Sequence, residues 1–141
     1  MQYNPLLLEN QLCFPLYACS REIVKKYKPH LDEIGLTYTQ YIAMMVLWEK
    51  KNINMKSLGE ALYLDSGTLT PLLKKMEAEG LVTRMRSSED ERNLIISLTK
   101  KGEDLRQKAM DIPHKVGSCI NISHEAAVSL RHTLNEILKS L

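Results

Sequence analysis

"MKSLGEALYLDSGTLTPLLKKMEAEGLVTRMRSSEDERNLIISLTKKG", residues 55–102, decides the fold, because its hydrophobic period changes once along its length. Met55, Leu58 and Leu62 fall on one face of a short helix. Tyr63-Leu64-Asp65-Ser66-Gly67 reads as a turn. From Ser66 to Glu79 helical spacing returns, with Leu69, Leu72, Leu73 and Met76 facing inward. Gly80 suits the left-handed residue that ends a helix. Two short helices joined by a tight turn, the second bearing Thr68, Thr70, Lys74 and Lys75 outward, read as a helix-turn-helix. After Gly80 the pattern alternates in "LVTRMR" (81–86), turns in "SSEDER" (87–92) and becomes β-branched in "NLIISL" (93–98). This predicts a hairpin whose strands carry Arg84 and Arg86, with Arg92 near the tip. A hairpin directly after a helix-turn-helix is the order of a winged helix.

On the N-terminal side, Tyr41/Ile42, Met45/Val46 and Trp48 form a wide apolar stripe on a helix that Thr39 can cap. Gly35 breaks the chain before it. Earlier still, Leu16/Tyr17, Ile23/Val24 and Tyr27 run at helical spacing from about Phe14 to His30, with Pro29 expected as the end. Pro15 is tolerable only in the first turn of that helix, which places Cys13 at or just before its N-terminus. On the C-terminal side, Thr99 caps a helix expected to reach about Ile112, interrupted near Pro113. Ser123 caps a last helix with Leu130, Leu134, Ile137, Leu138 and Leu141 in register. The first and last helices carry apolar stripes that a winged-helix core does not need. Their natural burial is against a second copy of the chain. The expected architecture is mainly α with a small β-wing: a winged helix over 36–102 for DNA, and a dimerisation region formed by 1–32 and 103–141.

Bulk properties bound the function. The 141 residues suit one domain, and 44% hydrophobic with 26% charged residues is ordinary for a globular chain. A net charge of +2 is too mild to prove nucleic-acid binding, so the placement of charge must carry that case. "MQYNPLLLEN" lacks the basic and long apolar regions of a signal peptide, and no apolar run reaches the roughly 18–20 residues of a membrane span. Cys13, Cys19 and Cys119 are odd in number and far apart, which argues against a secreted disulfide framework. His30, His114, His124 and His132 show no ligand spacing with a cysteine, so neither a metal nor another cofactor is expected. The expectation is a reduced, cytoplasmic protein.

Lys74 and Lys75 alternate with Glu77 and Glu79, and such mixed charge commonly marks a merely solvated face. The small polar residues Asp65, Ser66, Thr68 and Thr70 at the helix start weigh more. That end of a helix-turn-helix enters the major groove, where serine and threonine meet phosphates and bases.

"DERNLIISLTKKG" (90–102) fits the D-x-R…L-T-x-x-G pattern of MarR-type repressors, and the order of elements resembles theirs over essentially the whole chain. Within that family the chain is similar to the organic-hydroperoxide-sensing OhrR repressors, through "LENQLCF" (8–14), "KKYKPHLD" (25–32), "TYTQY" (37–41) and "YLDSGTLTPLLKKME" (63–77). The resemblance implies an obligate homodimer on a pseudo-palindromic operator. It implies Cys13 as a redox sensor and Tyr27 and Tyr38 as hydrogen-bond donors to its sulfur. Tyr17 matches a further tyrosine near the sensor, and Phe14 and Leu12 are apolar neighbours favouring organic hydroperoxides as inducers. It assigns Arg92 to the minor groove, with Asp90 orienting it, and it fits Cys119 to the resolving cysteine of a two-cysteine subclass.

The chemistry is compatible, since a thiolate is the nucleophile toward peroxide and a helix N-terminus offers free N–H groups. From its own segment alone, Cys13 reads equally as a small core residue. Cys119 has a structural reading too, and Cys19, on another helix face, reads as structural. Two other functions stay open on the residues: a repressor released by a noncovalent phenolic or aromatic ligand, and a thiol peroxidase. The second would leave the basic winged helix unexplained.

Overall fold

The computed structural model describes residues 2–90 and 92–141. Met1, at the start of the expected dimerisation region, and Glu91, in the turn expected over 87–92, lie outside the described residues. The elements run α1 (Cys13–Asp32), α2 (Tyr38–Lys50), β1 (Asn52–Asn54), α3 (Met55–Leu62), α4 (Ser66–Ala78), β2 (Val82–Arg86), β3 (Leu94–Leu98), α5 (Lys100–Ala109), α6 (Ile112–Gly117) and α7 (His124–Ser140). One 3-10 turn, Leu8–Asn10, precedes α1. The protein is mainly helical with one small antiparallel sheet, the class expected from the hydrophobic periods.

Short polar side chains set the helix starts. Asn54 Oδ1 accepts from the Ser57 amide at 2.7 Å, and Asp65 Oδ1 accepts from the Thr68 amide at 2.7 Å. Thr99 Oγ1 accepts from the Gly102 amide at 3.0 Å, and Ser123 Oγ accepts from the Ala126 amide at 3.1 Å. Each satisfies a donor that the first turn of a helix cannot pair internally. Gly80 closes α4 at φ +79°, with its own amide on the Glu77 carbonyl and the Leu81 amide on the Met76 carbonyl. That pair of bonds is a Schellman motif, and it turns the chain from the recognition helix into the wing.

In the sheet β3 lies between β1 and β2. β2 pairs antiparallel to β3 from Val82 opposite Leu98 to Arg86 opposite Leu94, and β1 adds Ile53 opposite Ile96. Val82 and Ile96 point into a core with Leu47, Leu58, Leu69, Leu73 and Met76, all buried. β1 was not foreseen: three residues are too few for an alternating pattern to show.

Three boundaries differ from expectation. Thr37, not Thr39, caps α2, because "TYTQ" supplies a capping box: Thr37 Oγ1 accepts from the Gln40 amide at 3.3 Å, and Gln40 Oε1 accepts from the Thr37 amide at 3.0 Å. Pro29 does not end α1, which continues to Asp32. The proline removes one hydrogen bond near the helix end, while burial of Leu31 holds the last turn to the core. The helix opened by Thr99 stops at Ala109, and Pro113 lies in the first turn of a new helix, where its missing N–H costs nothing.

Every buried apolar side chain among the described residues lies between Leu31 and Val116. α7 buries none of its residues, and in the first half of α1 only Ala18 is even partly covered. Leu6, Leu12 and Tyr17 are 91%, 69% and 60% exposed. Among the described residues no helix is long and apolar enough to cross a membrane.

The tightest joint is at Gly102, where the Trp48 indole N–H donates to the Gly102 carbonyl at 2.9 Å. A Cβ there would overlap the Leu81 carbonyl oxygen and lie 2.7 Å from Leu98 Cδ1. Gly102→Ala is expected to lower stability by about 2–3 kcal/mol, as overpacking against backbone does, read from urea unfolding. An unchanged midpoint would show that α5 can shift away freely.

Candidate functional site

The helix-turn-helix and the wing enclose one groove of about 970 Å³. Asp65, Ser66, Thr70 and Lys74 line it from the recognition helix α4 and its cap, and Arg84, Arg86 and Arg92 line it from the wing. Thr68 and Lys75, also expected to face DNA, are exposed but do not line it. Asp65 is engaged as the cap of α4, and that bond holds its carboxyl below the usual carboxylate range. Its charge strengthens the start of α4 rather than attracting phosphate.

Sequence reasoning missed Lys56, Tyr63 and Asn93, which share the groove. Tyr63 carries a signal only in three dimensions. It ends α3 in a left-handed conformation, φ +56° and ψ +39°, and its ring stays exposed.

The three wing arginines differ. Arg92 is the freest, its side chain 92% exposed, with its backbone amide and Nε both on Asp90 Oδ1 at 3.0 and 3.3 Å. Arg84 is half-buried and tied to Glu77: its Nε and a terminal guanidinium nitrogen donate to Glu77 Oε1 at 3.2 and 3.0 Å, and its backbone amide donates to Glu77 Oε2 at 3.1 Å. This fork joins α4 to β2 and sets the wing against the recognition helix. The guanidinium holds the Glu77 carboxyl below its ordinary range.

The cysteine site is open within one protomer. Cys13 is the first residue of α1, exposed, and Leu12 before it offers no side-chain cap, so the amides of the first turn have no side-chain acceptor. Phe14 and Tyr17 follow on the same exposed stretch, with Arg21 stacked on the Tyr17 ring at 5.3 Å. Tyr27, Tyr38 and Tyr41 form a cluster with ring centroids 5.0 to 6.1 Å apart. Burial, and next the neighbouring phenols, push Tyr41 up to about 12 and raise Tyr27, so both rings remain protonated donors. Cys13 and this cluster do not meet in one protomer. Tyr27 lies about 21 Å farther along the same helix, and the Cys13 thiol has no hydrogen bond among the described residues. Cys119 sits just past α6, exposed, its Sγ 3.5 Å from the Lys115 carbonyl.

Comparison with known proteins bears on both sites. Residues 25–109 match the family model for the transcriptional regulator SarA/Rot. Over 140 residues the chain is 51% identical to the organic hydroperoxide resistance transcriptional regulator of Bacillus subtilis (strain 168), covering 99% of this chain and 95% of that one. The chain belongs to the MarR-type transcriptional regulators of the SarA/Rot group. Among solved structures it is similar to reduced AbfR bound to DNA, at 34% identity and a TM-score of 0.80, covering 94% of this chain and 91% of that one. It is also similar to disulfide-formed AbfR, at 37% identity and a TM-score of 0.67 over 93% and 92% of the chains. AbfR is a protein of Staphylococcus epidermidis. The protein is a DNA-binding transcriptional regulator rather than an enzyme.

The Glu77–Arg84 fork has a readable pH signature. Glu77 titrates lower in the fold than its ordinary 4.5, so its contribution is complete above pH 4.5 and is lost as pH falls through the depressed folded value. The stability gap between wild type and Glu77→Gln is expected to close on acidification, in denaturant melts run as a pH series. A gap that persists undiminished into acid would remove the fork from the joint.

Proposed function

We propose that the chain represses transcription as a homodimer on pseudo-palindromic operator DNA and leaves it when organic hydroperoxides oxidise Cys13. The observation that carries this reading is Cys13 itself, an exposed thiol at the uncapped start of α1. It occurs in a chain half identical to a hydroperoxide resistance regulator. The thiolate is the form of a cysteine that reacts with peroxide. The thiolate attacks the terminal peroxide oxygen, the O–O bond breaks, an S–O bond forms and the alcohol leaves. The sulfur is oxidised by two electrons to sulfenic acid. Cys119 then condenses with it, forming a disulfide and releasing water.

The separation of Cys13 from Tyr27 and Tyr38 supports a site shared between two copies, since the phenols that reach the sulfur must come from the second one. Residues 1–32 and 103–141 form the dimerisation region, covering the apolar faces that one protomer leaves open. Residues 36–102 bind DNA. Ser66, Thr68 and Thr70 meet the major groove, with Lys74, Lys75 and Arg86 on phosphates. Arg92 reaches the minor groove, held in direction by Asp90. Arg84 positions the wing through Glu77. The greater likeness to the reduced, DNA-bound AbfR structure than to the disulfide-formed one supports reading this conformation as the repressing form. The protein acts in the cytoplasm, where its operator is.

Light scattering at micromolar concentration is expected to give the dimer mass; a folded monomer would overturn the shared site. Arg92→Ala should weaken operator binding about tenfold or more, within the 1–3 kcal/mol typical of one groove contact, and leave peroxide reactivity unchanged; equal affinity would take the wing out of the mechanism. Cys13→Ser should bind operator normally and ignore cumene hydroperoxide. Cys119→Ser should still respond but form no subunit-linked species on non-reducing gels. A Cys13→Ser protein released from DNA by peroxide would overturn the reading.

A further inference from the structure

Among the described residues Gln40 is the one polar side chain that the core encloses, at 1% exposure. A carboxamide has both an acceptor and donors to satisfy there, and in Gln40 they point to different elements. Its Oε1 accepts from the Thr37 amide at 3.0 Å, which closes the start of α2. Its Nε2 donates to Glu79 Oε2 at 3.5 Å, across the joint with the end of α4. Glu79 is the C-cap residue of the recognition helix and is only half-exposed. Its carbonyl accepts from the Lys101 ammonium of α5 at 2.8 Å. The mixed charge of Lys74, Lys75, Glu77 and Glu79 reads as a solvated face in the sequence. In the structure both glutamates are engaged in joints, Glu77 with the wing and Glu79 with α2.

We propose that Gln40 is a positioning residue for operator binding: through Glu79 it couples the tyrosine-bearing start of α2 to the recognition helix, in the repressing form alone. The proposal rests on the peroxide-release reading above. Tyr38 opens α2 two residues before Gln40, Tyr41 follows it, and the Tyr27 ring lies 5.0 Å from that of Tyr38. The Tyr38 phenol, assigned to the sulfur in that reading, therefore stands in the same helical turn as the carboxamide. At 3.5 Å the contact between Gln40 and Glu79 is at the outer limit of a hydrogen bond. A small shift of α2 away from α4 breaks it and leaves a buried donor without its acceptor. A contact made in only one of two states biases the equilibrium toward that state. Removing it weakens operator binding by the reduced protein and leaves the oxidised protein, where it is already broken, as it was.

The test measures operator affinity by fluorescence anisotropy on full-length protein, reduced and after cumene hydroperoxide, with Cys13 oxidation followed by mass in the same samples. Glu79→Gln is the reference, because it removes the charge and keeps an oxygen that accepts. Glu79→Met makes the same charge change without an acceptor. Relative to Glu79→Gln it should raise the Kd of the reduced protein about fivefold, the factor of one ordinary hydrogen bond. The Kd of the oxidised protein and the rate of Cys13 oxidation should not differ between the two. Gln40→Met approaches the pair from its other member and should also weaken the reduced form alone. Equal affinities for Glu79→Met and Glu79→Gln in the reduced form would overturn the proposal. So would equal losses in both redox forms, the signature of a merely structural role. A wild type with one affinity in both redox forms would overturn the peroxide-release reading and this proposal with it. A wild type that responds, beside a Glu79→Met that responds equally, would overturn this proposal alone.

Discussion

The constraint on which the structure depends is that the buried core ends at Leu31 on one side and at Val116 on the other. Beyond those residues, Ile23, Tyr27 and Ile120 still pack against the core, but the start of α1 and the exposed apolar side chains of α7 are left uncovered by one protomer. In the proposed dimer the hydrophobic effect gives a second copy the task of covering those faces. Cys13 stands on the uncovered half of α1, so in the proposed dimer the environment of its sulfur depends on association.

The winged helix is built differently, with its joints braced by caps and side-chain bonds. Asp65 caps the recognition helix, Gly80 turns it into the wing, and Thr99 ties the end of the sheet to α5, with its hydroxyl 2.6 Å from the Gly80 carbonyl. The Glu77–Arg84 fork then fixes the wing to α4. In the proposed function a winged helix braced in this way suits a switch that works by spacing: two recognition helices must fall about one helical turn of DNA apart, and small rotations of the lobes spoil that match.

Much of this was readable in the chain because local chemistry dictated it. Thr99 and Ser123 cap helices where short hydroxyl side chains precede apolar periodicity, and Gly80 takes the positive φ that no larger residue adopts cheaply. The misreadings were of two physical kinds. Where two local signals competed, a second residue decided: Gln40 completes a capping box with Thr37 and not with Thr39, and the buried Leu31 holds the last turn of α1 past Pro29. Where a feature exists only through pairing distant in sequence, no local pattern announces it. β1 leans on β3, Tyr63 gains its place from the groove, and Arg84 is half-covered because Glu77 lies across from it. The arrangement of the proposed sensor residues was not readable from the chain, since Cys13 stands at the start of α1 and Tyr27 in its second half.

The central claim is that oxidation of Cys13 releases the protein from its operator, and one titration measures both events in the same sample. Wild-type dimer bound to fluorescently labelled operator is treated with increments of cumene hydroperoxide. Anisotropy gives the fraction bound, and quenched aliquots give the Cys13 oxidation state by intact and peptide mass. The account predicts that release follows the fraction of oxidised Cys13 point for point, before Cys19 is modified. Release while Cys13 remains a free thiol, or full oxidation of Cys13 with the operator still bound, would contradict it.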